Sequence, residues 1–323
     1  MGRFLLRAGL ILLILVLALG GVFAYGVERF HEPGPLAEPV TLIVPKGEGV
    51  GAIARRLEAA GVLENGFLFR IGLRLSGNDR ALRAGEYEFP AQVSFREAME
   101  ILVRGEMVRR KLTVAEGLTM ANVVALVQAA EGLEGEITEM PSEGELLPET
   151  YTYVWGETRD SMIAQMRRAM GETLHDLWAA RAEGLPLDSP EEALILASIV
   201  ERETAIPEER PRIAAVFLNR LKRGMRLQSD PTVVYALSKG EGGLDRPLTQ
   251  ADLDTEDPYN TYRVQGFPPG PIANPGRAAI AAVMQPLETD ELYFVADGNG
   301  GHVFARTLKE HRKNVRRWKQ LRK

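Results

Sequence analysis

The sequence predicts an α+β protein with one amino-terminal transmembrane helix, small β-then-α modules, and a helix-rich carboxy-terminal α+β domain with a small sheet. Three observations carry that reading. An uncharged apolar run occupies residues 8–27. A strand–turn–helix pattern then recurs at an offset of 70 residues, starting at Thr41 and again at Lys111. Beyond residue 146, helical apolar patterns give way to a Pro/Gly-rich loop and two short alternating segments. At 323 residues the chain is long enough for an anchor and two or three compact domains.

The apolar run AGLILLILVLALGGVFAYGV, Ala8 to Val27, is preceded by Arg3 and Arg7 and followed by Glu28 and Glu32. Twenty helical residues rise about 30 Å, the thickness of a bilayer's hydrocarbon core. The arginines place residues 1–7 in the cytoplasm and everything after the span on the extracytoplasmic, periplasmic side of the cytoplasmic (inner) membrane. The competing reading is a cleaved signal peptide with small residues at Ala18 and Gly20. The run is longer than a usual signal core, and both readings export the remainder. Residues 28–39 contain HEPGPLAEP, whose three prolines and one glycine describe an extended linker.

Composition removes several function classes. The net charge of −5 argues against a nucleic-acid binder, which needs a basic face. Basic residues do concentrate in the tail Lys309–Lys323, KEHRKNVRRWKQLRK, which reads as a solvated terminal helix. The absence of cysteine excludes a disulfide framework and a thiol nucleophile. His31, His175, His302 and His311 show no metal-ligand spacing, so neither a metal nor a cofactor is expected.

Residues 40–131 hold the repeat. TLIVPKGEGVGAIARRLEAAG matches KLTVAEGLTMANVVALVQAAE, pairing Leu42 with Leu112, Val44 with Val114, Gly47 with Gly117, Ile53 with Val123 and Leu57 with Val127. Each copy reads as a short strand, a glycine turn and an amphipathic helix. A further strand–helix unit lies between them, from Glu86 to Val103, with Ser94 placed to cap its helix. This pattern resembles the LysM-like module that binds glycan. It is equally the pattern of a small scaffold that binds nothing itself. Gly132 to Glu149 is acidic and rich in Gly, Pro and Ser, and marks a boundary or a long loop before the domain at 146–323.

Within that domain, SPEEALILASIVERET, Ser189 to Thr204, has a strong helix start. Ser189 is the N-cap, Pro190 suits the first helical position, and Glu192 completes a capping box. Ala193 to Val200 is apolar all round, which predicts a buried helix. Glu201 and Glu203 stand at its end. Glu203 continues the bulky stripe of Leu196, Ile199 and Val200, whereas Glu201 follows Leu194, Ala197 and Ser198. A carboxyl on a greasy stripe is desolvated, which raises its pKa and suits it to protonating a glycosidic oxygen. Taken alone, the pair reads as ordinary surface glutamates at a fraying helix end; Glu201 either tunes Glu203 by charge repulsion or sits at the surface, and the surface is expected.

Further on, a second amphipathic helix starts near Glu208, and Gln228, Ser229 and Asp230 precede a proline read as stopping local helix formation. The loop YNTYRVQGFPPGPIANPG, Tyr259 to Gly276, is stiffened by its prolines. Its Tyr259, Asn260, Thr261, Tyr262 and Asn274 supply the rings and amides that sugar sites use, although Asn, Gly and Pro are also simply turn residues. LYFVAD and HVFA, joined by GNGG, read as a hairpin.

ASIVERET, VFLNRLKRGMRLQSDPTVVYAL, YNTYRVQGFPPGPIANPG and LYFVADGNGGHVF closely resemble the endolytic murein transglycosylase family (MltG, or YceG-like), and AGEYEF and EGLTM extend the likeness towards the amino end. The resemblance implies a single-pass membrane protein with an extracytoplasmic catalytic domain. It implies cleavage of MurNAc–GlcNAc bonds within nascent peptidoglycan strands, leaving 1,6-anhydroMurNAc ends, and partnership with cell-wall synthases. The family's catalytic glutamate, the second of its E-x-E-T string, falls on Glu203, the residue that helical geometry also selects. Gln228, Asp230, Asn260 and Tyr262 are expected to orient the sugar, with Tyr259, Thr261 and Asn274 beside them. The alternatives are a hydrolysing muramidase with Asp230 as second carboxylate, and a non-catalytic glycan-binding scaffold.

Overall fold

A computed structural model describes residues 2–321. Met1, at the start of the expected cytoplasmic segment, and Arg322 and Lys323, which end the cationic tail, lie outside the described residues. The architecture is helix-rich α+β, and its strands form three separate two-stranded ladders. By contact density the chain divides into two compact units. One runs to Arg110 and takes in Tyr153–Gly156; the other comprises Lys111–Thr152 and Glu157 onward. The second copy of the repeat therefore belongs with the carboxy-terminal unit, apart from the first.

The first unit opens with α1, Gly2–His31. Its stretch Gly9–His31 is the one described helix long and apolar enough to cross a membrane. The helix continues through Glu28–His31, residues read from sequence as linker. It stops just ahead of Pro33, where a proline disfavours helical backbone in the residue before it. Next come β1 (Val40–Val44), α2 (Val50–Ala59), α3 (Gly66–Leu75), β2 (Gly85–Phe89) and α4 (Phe95–Arg104). β1 and β2 pair antiparallel, from Val40 opposite Phe89 to Val44 opposite Gly85. Leu57, Phe69, Leu73, Tyr87, Phe89 and Leu102 form the centre of this unit's core. Ser94 caps α4 in a complete capping box with Glu97, as the sequence predicts.

In the second unit the repeat reappears as β3 (Arg110–Thr113) and α5 (Met120–Ala129), with Gly117 in the left-handed region at φ 77° as Gly47 is at φ 81°. β3 pairs with β4 (Thr150–Tyr153). Residues 132–149 are a long irregular segment that packs inward, burying Leu133, Leu146 and Leu147. Then follow α6 (Arg159–Ala179), α7 (Pro190–Glu203), a 3₁₀ turn at Pro207–Glu209, α8 (Arg210–Lys222), α9 (Asp230–Ser238), α10 (Gln250–Leu253) and α11 (Arg277–Met284). The chain ends with the antiparallel hairpin β5 (Tyr293–Ala296) and β6 (His302–Ala305), and α12 (Leu308–Leu321).

α7 is the buried helix that its apolar middle predicts. Ala193, Leu196, Ala197, Ile199 and Val200 are each 0% exposed, and α6, α8, α9 and α11 pack around it. Ser189 accepts from the Glu192 amide at 3.3 Å, but the Glu192 carboxylate accepts from the Asp188 amide at 2.7 Å and so does not close a capping box on Ser189. Pro231 sits in the first turn of α9. It starts a helix there, since that position needs no amide donor and favours the proline φ; the expectation that it stops one is corrected. Leu196→Ala should lower stability by about 2–5 kcal/mol, read as a fall in the denaturant midpoint at unchanged m-value.

Candidate active site

The two glutamates at the end of α7 point to different surroundings. Glu201, expected at the surface, is inside: its side chain is only 4% exposed. Its Oε1 accepts from Arg210 Nη2 at 2.7 Å, and its Oε2 accepts from the Gly276 amide at 2.9 Å. Arg210 Nη2 also donates to Glu116 Oε2 at 3.0 Å. The Glu116 carboxylate lies so close to Gly276 that a Cβ there would stand 1.9 Å from its Oε1, so a larger residue at 276 would have to displace this carboxylate. Burial pushes the Glu201 pKa up, while the Gly276 amide and the Arg210 guanidinium pull against that rise.

Glu203 is set differently. Ser229 Oγ donates to its Oε2 at 2.9 Å. Burial pushes its pKa up to about 7, the Ser229 hydrogen bond and the Arg220 charge opposing and the Asp230 charge reinforcing that rise. Glu203 opens on a polar groove of about 340 Å³ lined also by Glu116, Gly117, Glu201, Arg202 and Arg210.

Ser229 is held from several directions. Its amide donates to Thr261 Oγ1 at 3.0 Å, and the Gln228 amide donates to the Thr261 carbonyl at 3.2 Å. Gln228 adopts φ 52°, a left-handed conformation that costs a non-glycine residue about 1 kcal/mol or more. The tight turn brings the hydroxyl of the next residue onto Glu203. Arg220, near the end of α8, is 6% exposed. It donates through Nε to the Leu292 carbonyl at 2.7 Å and through Nη1 to the Leu227 carbonyl, tying the hairpin to the segment before Ser229.

The expected sugar contacts separate into two groups. Gln228 and Asp230 are exposed and Tyr262 is half-buried, with Tyr262 Oη donating to Asp230 Oδ1 at 2.6 Å. Burial, and then the Asp230 charge, raise the Tyr262 pKa. Asn260, Thr261 and Asn274 are 0% exposed and spend their polar atoms internally. Asn260 Nδ2 donates to the Leu253 and Thr255 carbonyls, and its Oδ1 accepts from the Tyr262 amide. Thr261 and Thr232 hydroxyls share a 2.8 Å hydrogen bond. Asn274 Oδ1 accepts from the Leu146 amide and its Nδ2 donates to the Leu118 carbonyl. These three shape the site from behind. Tyr259 packs its ring against Tyr235, with centroids 4.8 Å apart.

Sequence reasoning missed Glu116 and Arg210, whose pairing joins residues 94 positions apart, and Glu143. Burial pushes Glu143 up to about 7 against hydrogen bonds from the Met120 amide and Tyr235. Asn274 Nδ2 lies 3.4 Å from its Oε1, so this carboxyl joins the frame behind the groove. The ionic partner of Glu201 had one weak signal, a basic residue at the start of the next helix.

Two outcomes test this arrangement. Arg210→Met leaves Glu201 buried without its cation and should cost about 3–5 kcal/mol, measured by chemical denaturation. The raised Glu203 pKa means that the folded state holds this proton more tightly than the unfolded chain, so stability is lost as pH climbs from about 4.5 to about 7. Glu203→Gln should therefore match the parent at low pH and gain on the order of 1–3 kcal/mol above neutrality, visible as a pH-dependent difference in Tm.

The comparisons with known proteins agree with one another. The profile of the YceG-like family matches residues 42–317, from β1 into α12. An endolytic murein transglycosylase of Bacillus subtilis is 31% identical over 332 aligned positions, covering 92% of this chain and 90% of that protein. An endolytic murein transglycosylase of Streptococcus pneumoniae is 30% identical and covers 85% of this chain but 58% of the longer protein. The crystal structure of a yceG-like protein from Listeria monocytogenes superposes with a TM-score of 0.54 at 29% identity, over 85% of this chain and 98% of that one. By a profile match spanning both compact units, and by a full-length relative, the chain belongs to the YceG-like family.

Proposed function

We propose that this chain is a membrane-anchored lytic transglycosylase that cuts peptidoglycan glycan strands internally, with Glu203 as its single acid/base. The observation that carries the reading is a carboxyl at the end of a buried helix, pushed up to about 7, bonded by one hydroxyl and opening on a polar groove. The naming of the relatives as endolytic murein transglycosylases supports the same chemistry.

Protonated Glu203 donates to the glycosidic oxygen linking muramic acid C1 to the next glucosamine, and the C1–O bond breaks. The C6 hydroxyl of the same muramyl residue then attacks C1. Glu203, now ionised, takes the hydroxyl proton, and the 1,6-anhydro ring closes without consuming water. One carboxyl thus performs both halves of the cycle, where a two-carboxylate glycosidase divides them. A pKa near 7 suits both, because the proton must be present at the start and readily returned. Ser229 steadies the ionised form. Gln228, Asp230 and Tyr262, at or near the surface beside Glu203, orient the sugar from the Ser229 side, while the Glu201–Arg210–Glu116 cluster holds the groove's wall.

α1 anchors the chain in the cytoplasmic membrane with residues 1–7 inside and the catalytic unit outside, beside the synthases that make nascent strands. Residues 40–131 form LysM-like modules, and residues 146–323 carry the catalysis.

Mass analysis of peptidoglycan digested by the full chain in detergent tests the proposal. Anhydromuramyl ends are expected; reducing ends would make the enzyme a hydrolysing muramidase, and intact strands a scaffold. Glu203→Gln should lower turnover by about 10²–10⁴-fold without unfolding the protein. The parent's kcat/KM should fall as pH rises above about 7, when Glu203 loses the proton that starts the cycle.

A further inference from the structure

A second membrane contact is built into the first unit. We propose that α3 lies in the outer lipid surface beside the anchor, its Phe67–Ile71–Leu75 face in the headgroup–acyl boundary and Arg70 and Arg74 among anionic lipid phosphates. The proposal rests on α1 spanning the membrane.

α3 is apolar on two faces. Phe69 and Leu73 are 0% exposed in the unit's core. Phe67, Ile71 and Leu75 are 63%, 39% and 76% exposed, and their spacing of four places them on one outer stripe. A helix packed on a core in water carries polar residues there. The exposed Arg70 and Arg74 line one edge of the stripe, giving the aromatic and aliphatic face with a cationic border that interfacial helices present to lipid.

The occupant follows from what lies next to this stripe. α1 is seated on α3 by close packing: a Cβ on Gly72 would stand 2.4 Å from the Phe30 ring, and Phe30 stacks on Phe95 at 6.4 Å between centroids. Between the two helices runs an apolar groove of about 770 Å³ whose lining includes Leu19, Val27 and Phe30 of α1, and Ile71 and Leu75 of α3. Leu19 is eight residues before the end of the apolar run at Val27, about 12 Å along the helix axis. The groove therefore begins at the depth of acyl chains, and α3 flanks it. An apolar stripe contiguous with a membrane span fits lipid: acyl chains fill the groove, and anionic phosphates meet the two arginines.

The chain has no cysteine, so single thiols can be placed without background. Phe67→Cys, Leu75→Cys and, as an exposed control on β2, Glu88→Cys are labelled with an environment-sensitive fluorophore in the full chain. The chains are then reconstituted in phosphatidylcholine–phosphatidylglycerol vesicles. At 67 and 75 the expected result is blue-shifted emission, lost to nitroxide-bearing lipids and protected from aqueous iodide; at 88 the reverse is expected. Labels at 67 and 75 that behave like 88, in chains that resist carbonate extraction, would overturn the proposal while leaving the anchor intact. Chains released by carbonate would instead remove the anchor reading on which it rests. Efficient disulfide crosslinking of unlabelled Leu75→Cys chains in the same vesicles would assign the stripe to a second copy and reject the lipid contact.

Discussion

The site depends on how the end of α7 separates two carboxylates two residues apart. Both leave a helix whose preceding turns are wholly inside the core, so both suffer desolvation. Arg210 and the Gly276 amide engage Glu201 with a cation and a backbone donor. Glu203 receives a hydrogen bond from a serine hydroxyl and feels the Arg220 charge. Environment therefore gives two identical side chains different electrostatic settings. The guanidinium acts twice, since it also fixes Glu116 against the start of α11. A buried ion pair of this kind is costly to create and more costly to break, which stiffens the wall of the groove beside Glu203.

The remaining polar groups behind the groove obey the same economy of partners. Asn260, Thr261 and Asn274 have no exposure; Asn260 satisfies backbone atoms of its own loop, and Thr261 and Asn274 those of segments far apart in sequence. The Pro/Gly-rich loop has no helix or strand ladder of its own from residue 257 to 276, so its buried backbone must find partners elsewhere. Ser198 supplies one, accepting from the Ile272 amide at 3.0 Å. Polar residues in such a loop were legible as a group, but their division into contacts and struts was not. Composition gives the same signal for an amide that meets a sugar and an amide that meets a carbonyl.

Much of the local structure was legible because it follows short-range rules. Ser94 and Ser189 cap the helices they precede, Gly47 and Gly117 take the left-handed turns, and the apolar run of α7 is buried. The burial behind Glu203 was legible from helical phase, because its stripe is continuous with buried residues, but phase alone left open a surface position at a fraying helix end. Glu201 was misplaced by the same argument: small neighbours on its face suggested solvent, whereas they make room for α11 and its amide. Pro231 was misread because a proline breaks a helix it interrupts and starts one it precedes. The clamp across Glu116, Arg210 and Glu201 was not legible, since pairing over such separations is set by the fold.

The two copies of the repeat diverge at one telling position. Lys46 and Glu116 occupy the same place in the pattern, immediately before the glycine of the turn. In the first copy the ammonium group of Lys46 reaches the Gly156 carbonyl at 2.8 Å. In the second the carboxylate of Glu116 meets Arg210. An inverted charge on a shared backbone pattern thus gives two different clasps, one onto a loop carbonyl and one onto a guanidinium beside the groove.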